Sequence, residues 1–183
     1  MRLLLIFALL LAAGAARADP AFWEAARAAD THLLMRHARA PGTGDPPGFR
    51  TDDCATKRNL DDAGRDQARR IGAAFRQAGV RVDRVLTSVW CRAAETAELL
   101  ALGPVETEPT LGSFFGDPDA AGTATAGLKR RLAALGGRKA VLVTHQVNVT
   151  ALTGVYPASG EILAVRLDPG TGAVEVRGRL AIP

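Results

Sequence analysis

The chain has 183 residues and a formal net charge of +4; it is 48% hydrophobic and 23% charged. That balance excludes bulk disorder, and the presence of one long apolar run excludes a bundle of membrane helices. Aromatic residues are only 5%, so the core must be built mainly from Leu, Val, Ile and Ala.

The N-terminus reads as a targeting segment. Met1-Arg2 is a short positive start, Leu3 to Ala13 is nearly all apolar, and Ala16-Arg17-Ala18 has the form of a cleavage site. The pattern predicts a secretory signal peptide over residues 1–18 and one domain over residues 19–183. The apolar run is short for a membrane span, so no stable span is expected after cleavage. Cleavage removes Arg2 and Arg17 and lowers the net charge from +4 to +2. Nucleic-acid binding then loses its compositional support, which requires a concentrated basic face. Export also predicts oxidised thiols, so Cys54 and Cys91 are expected to form a disulfide. No CxxC or HExxH motif occurs, so the two common metal patterns lack their ligands, and neither metal nor cofactor is expected. Nothing in the sequence fixes an oligomeric state.

The elements follow in order. Residues 21–29 read as a short helix anchored by Phe22 and Trp23. Residues 31–36 are a buried strand, and residues 40–48 form a Pro/Gly loop. Asp61 to Ala78 is a helix, with Asp61 or Asp62 as its cap and Gly79 as its stop. Val82 to Leu86 is a second strand. Ser88 is the expected N-cap of a helix over residues 90–101. Residues 103–126 read as a long, functional loop. A helix over Leu128 to Leu135 and a strand over Ala140 to Val143 come next, followed by a hairpin from Glu161 to the C-terminus. Strands alternating with helices predict an α/β three-layer sandwich, its sheet mostly parallel with an antiparallel C-terminal edge hairpin.

In such sheets ligands bind beyond the carboxyl ends of the strands. Arg36-His37 follows the first strand, Ser88 to Arg92 the second, and Thr144-His145 the third, with few carboxylates immediately beside them. Two arginines and two histidines on one sheet edge suit a phosphoryl group, because guanidinium forks match phosphate oxygens and an imidazole can attack phosphorus. Arg92 also lies in a helix's first turn, where anions are favoured. Gly42-x-Gly44 invites a dinucleotide reading, but Pro46-Pro47 opposes the helix it needs. No GxSxG motif supports a serine hydrolase. His32 reads as structural, and Thr43 as a possible substrate contact.

These residues resemble the histidine phosphatase superfamily, also called phosphoglycerate mutase-like. Arg36-His37-Ala38 stands where that family has Arg-His-Gly. SVWCRAAETA, residues 88–97, is similar to its Ser-x-x-x-Arg-Ala-x-x-Thr-Ala block. NLDDAGRDQA, residues 59–68, and VLVTHQVNVTAL, residues 141–152, resemble two further blocks. The resemblance implies that His37 is the nucleophile, and that Arg36, Arg92 and His145 hold the phosphate, His145 with a catalytic share. It implies a metal-independent phosphomonoesterase acting on a small phosphorylated metabolite or an envelope sugar phosphate, and the signal peptide predicts that it is periplasmic or secreted. The alternatives are a non-catalytic phosphate-ligand binder or a phosphomutase, the latter disfavoured by export. Two departures leave the general acid unassigned: Gln146 follows His145 where one branch has Asp, and residues 111–117 contain no Glu. Asp117 is the first candidate and Glu95 the second.

Overall fold

The computed structural model describes residues 20–183, so the signal peptide expected over residues 1–18 lies outside the described residues. The element order is α1 (Pro20–Arg27), β1 (His32–Arg36), α2 (Asp62–Gln77), β2 (Arg84–Thr87), α3 (Cys91–Leu100), β3 (Val105–Thr107), α4 (Ala121–Leu135), β4 (Ala140–Thr144), α5 (Gln146–Thr153), β5 (Ile162–Leu167) and β6 (Val174–Leu180). The six strands form one sheet in the order β3-β2-β4-β1-β5-β6. β3, β2, β4 and β1 are parallel, and β5 and β6 close the edge as an antiparallel hairpin. This is the expected α/β sandwich.

Side-chain alternation explains the three layers. Leu33 and Met35 of β1 and Val141 and Val143 of β4 pack on one face, against Phe22 of α1, Ile71 and Phe75 of α2 and Leu100 of α3. Leu34 and Leu142 point the other way, onto Leu128 and Leu132 of α4 and Val149 of α5. Each fully buried side chain of this size contributes roughly 1.5–3 kcal/mol of transfer free energy. A sheet buried on both faces requires continuous apolar strands, which is why HLLM and AVLV carry no inner polar alternation.

Three expectations need correction. The stretch over residues 103–126 is not simply a loop: it contains edge strand β3, two short 3₁₀ turns and the first turns of α4. Val105-Glu106-Thr107 is too short and too polar to read as a strand alone, and pairing with β2 creates it. Helix α4 starts at Ala121, because AGTATAG offers neither an apolar stripe nor a cap to mark its beginning. Ser88 does not cap α3. The cap position is Trp90, whose indole has no acceptor for a cap bond, while the Ser88 hydroxyl accepts from the Trp90 N–H at 3.2 Å and meets His145.

Two glycines mark where α2 must approach other backbone closely. A Cβ at Gly64 would lie 2.0 Å from the Arg39 carbonyl oxygen, and one at Gly72 2.0 Å from that of Leu100. Asp61 caps α2 by accepting from the Gly64 N–H at 2.8 Å.

Cys54 and Cys91 are joined, with 5.7 Å between their Cα atoms and a sequence separation of 37. The bond ties the segment after the 40–48 loop to the first residue of α3. In the chain-entropy model a loop of this length is worth about 4 kcal/mol. We expect the Cys54→Ser/Cys91→Ser variant to lose stability on that scale in urea unfolding, and denatured wild type to titrate no free thiols. An unchanged urea midpoint would show that the bond adds nothing.

Candidate active site

The sheet ladder itself sets the site. Beyond the last paired residues, the His37 N–H donates to Thr144 O at 2.9 Å and the Ser88 N–H to Val143 O at 3.1 Å. The chain is thus still in register when it delivers His37, Ser88 and His145 to one edge. The four sequence-predicted residues converge there: Arg36, His37, Arg92 and His145 all line one pocket of about 110 Å³.

His37 is buried, and its Nδ1 lies 2.7 Å from the carbonyl oxygen of Ala38. Only a protonated Nδ1 can make that bond, so Nε2 keeps its lone pair. The Arg92 Nε–H donates to that Nε2 at 3.3 Å. Burial first, then the guanidiniums of Arg92, Arg58 and Arg36, pushes the His37 pKa down to about 3. The ring is therefore neutral at physiological pH, with its lone pair on Nε2.

The position after His37 departs from the family triplet without cost. The Ala38 methyl is buried with Ala40, Leu60 and Ala68, and its N–H donates to Thr96 Oγ1 at 3.0 Å. Thr96 in turn donates to the Arg92 carbonyl at 2.6 Å. Gln67 of α2 accepts from the Arg39 N–H at 2.9 Å. Thr96, Gln67 and Gly64 therefore act together: they clamp the two residues that follow His37.

His145 is also buried, and its ring centroid is 5.5 Å from that of His37. Its Nε2 meets Ser88 Oγ at 2.8 Å, while its Nδ1 has no protein partner. Burial and the nearby His37 and arginines hold its pKa well below the usual histidine value. The Nε of Arg36 is likewise buried and unpartnered. Two orphaned polar groups in the wall of a cationic pocket fit an anion, because unmade hydrogen bonds at buried groups are costly.

Two residues that sequence reasoning missed complete the site. Asp45, from the 40–48 loop, takes both ends of the Arg92 fork, at 2.6 Å to Nη1 and 3.1 Å to Nη2. It also accepts from the Arg58 N–H and from Trp90 Nε1. Burial would raise its pKa, but the bonds from Arg92, Arg58 and Trp90 outweigh this and hold the carboxylate ionised. Arg58 lines the pocket and is fixed by the carbonyls of Gly44 and Ala40. Neither residue follows a strand, so no strand-end rule could find them. The one available signal was a polar GTGD run in a loop beside Arg-His.

Thr43 and Gln146 line the pocket as well. Asp117 is exposed at the start of a 3₁₀ turn and is not part of the pocket wall. Glu95 is held by Arg65 of α2 at 2.6 Å and does not line it either. Among the described residues, Asp45 is the single carboxylate in the wall. His32 lies at the far end of β1, beside a separate groove.

The chain's three histidines all have lowered pKa values, with burial the largest cause in each. Unfolded, each takes a proton near pH 6.5, whereas folded His37 resists protonation down to about 3. The unfolded state binds more protons in that window, so stability falls as pH drops below about 6.5. Urea midpoints at pH 7.5, 6.5 and 5.5 should decline in that order. A flat series would contradict the buried neutral histidines.

The family model of the histidine phosphatase superfamily, branch 1, matches residues 32–119. Over these residues the chain is similar to the histidine phosphatase superfamily. The match begins at β1 and takes in His37, Asp45, Arg58 and Arg92, whereas His145 lies beyond it. No curated protein matches the chain in sequence. Solved structures do. The protein histidine phosphatase SixA complexed with tungstate aligns with TM-score 0.61 and 23% identity, over 82% of this chain and 96% of its own. Phosphoglycerate mutase from Thermus thermophilus aligns with TM-score 0.55 and 23% identity, over 84% and 99%. A mycobacterial glucosyl-3-phosphoglycerate phosphatase aligns with TM-score 0.58 and 15% identity, over 81% and 97%. At these identities the likeness establishes the histidine phosphatase fold.

Proposed function

We propose that this protein is an exported phosphomonoesterase that hydrolyses a small phosphate ester through a phosphohistidine on His37, without a metal ion. The observation that carries the reading is the His37 ring: Nδ1 is tied to the Ala38 carbonyl, and Nε2 faces the Arg92 guanidinium inside a cationic pocket. The match of residues 32–119 to a phosphatase superfamily supports it. The disulfide beside the site is compatible with the oxidising compartment that the N-terminal sequence predicts. Among the described residues no helix is long and apolar enough to cross a membrane.

In the reaction the Nε2 lone pair attacks phosphorus and the bond to the leaving oxygen breaks. The side chains of Arg36, Arg58, Arg92 and His145 line the pocket, where charge on the phosphoryl oxygens must be stabilised. Water then attacks phosphorus, the P–N bond breaks, and phosphate leaves.

The wall offers no carboxyl group to protonate the leaving oxygen, because Asp45 is kept ionised by its bonds from Arg92, Arg58 and Trp90. General acid catalysis is worth about 10²–10⁴-fold, so its absence must show in leaving-group dependence. We expect para-nitrophenyl phosphate to be hydrolysed in EDTA, and alkyl phosphates to lag by at least about 10²-fold. Asp117→Asn should change neither rate by more than about twofold, the scale of a surface substitution. No turnover of any ester would overturn the phosphatase reading. Equal rates on both leaving groups would show that a proton donor exists.

A further inference from the structure

Among the described residues the large hydrophobic side chains left exposed are Phe49, Val89, Phe115 and Tyr156. They gather round one place. Phe115, at 54% exposure, and Tyr156, at 70%, both line the catalytic pocket. The Phe49 ring lies 6.3 Å from that of Trp90, and Trp90 lies 5.3 Å from His145. Val89 adjoins Trp90 in the turn between β2 and α3. In the core, by contrast, Phe22, Trp23 and Phe75 pack on one another at 5.1–6.1 Å. A chain with only 5% aromatic residues thus keeps part of its small supply in water, at the mouth of its active site. Concentrated exposed apolar surface marks a binding surface.

The pocket is small, about 110 Å³ in all, and its buried side chains, His37, Arg92 and His145, are among the groups that would hold a phosphate. The organic part of an ester must therefore rest at the mouth. Phe115 is placed for this. Its Cε1 comes within 3.5 Å of where a Cβ on Gly44 would stand, so its ring lies against the loop that carries Asp45. Thr43 of that loop adds a hydroxyl to the same wall. Aromatic faces with a few polar neighbours favour a flat or cyclic group over a short alkyl chain.

From this placement we infer that Phe115 and Tyr156 form a leaving-group subsite, and that the substrate is a phosphate monoester whose alcohol carries a ring. The inference rests on the phosphatase reading for its substrate class, but binding tests it independently of turnover. The probes are methylphosphonate, phenylphosphonate and the phosphonate isostere of glucose 6-phosphate, titrated by calorimetry into wild type and Phe115→Ala/Tyr156→Ala. At least one ring-bearing phosphonate should bind wild type about tenfold or more tighter than methylphosphonate, the scale of one stacked ring. The double variant should reduce that advantage to within about twofold while binding methylphosphonate as before. Whichever ring gains tells a sugar from an aromatic alcohol. Equal binding of all three by wild type, or an advantage that survives in the double variant, overturns the subsite. Release of phosphate from a phosphorylated protein with no ring preference would also overturn it, and would assign the patch to a protein partner. A ring advantage in a protein that hydrolyses no ester would leave the subsite standing and sink the phosphatase reading alone.

Discussion

His37→Ala is expected to lower kcat/KM for para-nitrophenyl phosphate by about 10⁴-fold or more, as loss of a nucleophile does in enzymes that depend on one. The expectation follows from geometry. His37 is the ring whose Nε2 is unprotonated and accepts only the long 3.3 Å bond from Arg92, and the burial that pushes its pKa to about 3 keeps that nitrogen unprotonated. The Nε2 of His145 is held more tightly, at 2.8 Å from Ser88 Oγ against 3.3 Å from Arg92 to His37. Rapid-quench mass spectrometry of wild type should find an acid-labile phosphate on the peptide containing His37, and none in the variant. If His37→Ala retained activity, or the adduct formed on the peptide of His145, the assignment would fail.

Arg92→Ala is expected to cost about 3 kcal/mol or more in transition-state stabilisation, about 10²-fold or more in kcat/KM, while Arg39→Ala costs almost nothing. The side chain of Arg92 is 4% exposed and that of Arg39 is 61% exposed, its guanidinium turned to Asp61 at 3.1 Å. Arg92→Ala should also destabilise the fold by about 3–5 kcal/mol, because it leaves Asp45 buried and unpaired. The double variant Arg92→Ala/Asp45→Asn separates the two effects. It should recover much of the stability in urea unfolding, since no unpaired charge remains, and recover none of the activity. Comparable losses of activity in Arg39→Ala and Arg92→Ala would mean that the pocket is drawn in the wrong place.

The position of Arg92 is legible in the sequence because it is a local matter. A strand ends at Thr87, a helix begins three residues after Ser88, and an arginine in the helix's first turn must lie near the sheet edge. The same logic finds Arg36, His37 and His145, each within two residues of a strand end. The disulfide is legible from a count of two cysteines and an expected compartment. Asp45 and Arg58 are not legible, because each reaches the pocket from an irregular segment with no period to follow. The folded protein holds that segment by the Cys54–Cys91 bond, by the Arg58 bonds to Gly44 and Ala40, and by Asp45 itself. All are contacts between residues distant in sequence or set by loop geometry.

Asp117 and Glu95 show the opposite error. Each stands at plausible spacing from the site, but spacing does not reveal direction. Glu95 lies one turn from Arg92 yet faces Arg65 on α2, where an ion pair holds it. Ser88 is expected to cap its own helix; its hydroxyl instead accepts from the Trp90 N–H just before that helix and also meets His145 Nε2 across the sheet.

The sequence by itself determined the layers and the sheet edge, since apolar runs of four or five residues must be buried on both faces and their ends must carry the chemistry. It also brought His37, Arg36 and Arg92 to that edge, because strand-end position is a local property. Only the tertiary structure decided which carboxylate enters the pocket and that it enters ionised. That outcome depends on four N–H donors, two from Arg92 and one each from Arg58 and Trp90, meeting one oxygen pair, and no local pattern encodes the meeting. Only the tertiary structure, too, gathered Phe115 and Tyr156 at one mouth from segments 41 positions apart, where the burial of everything else leaves them exposed.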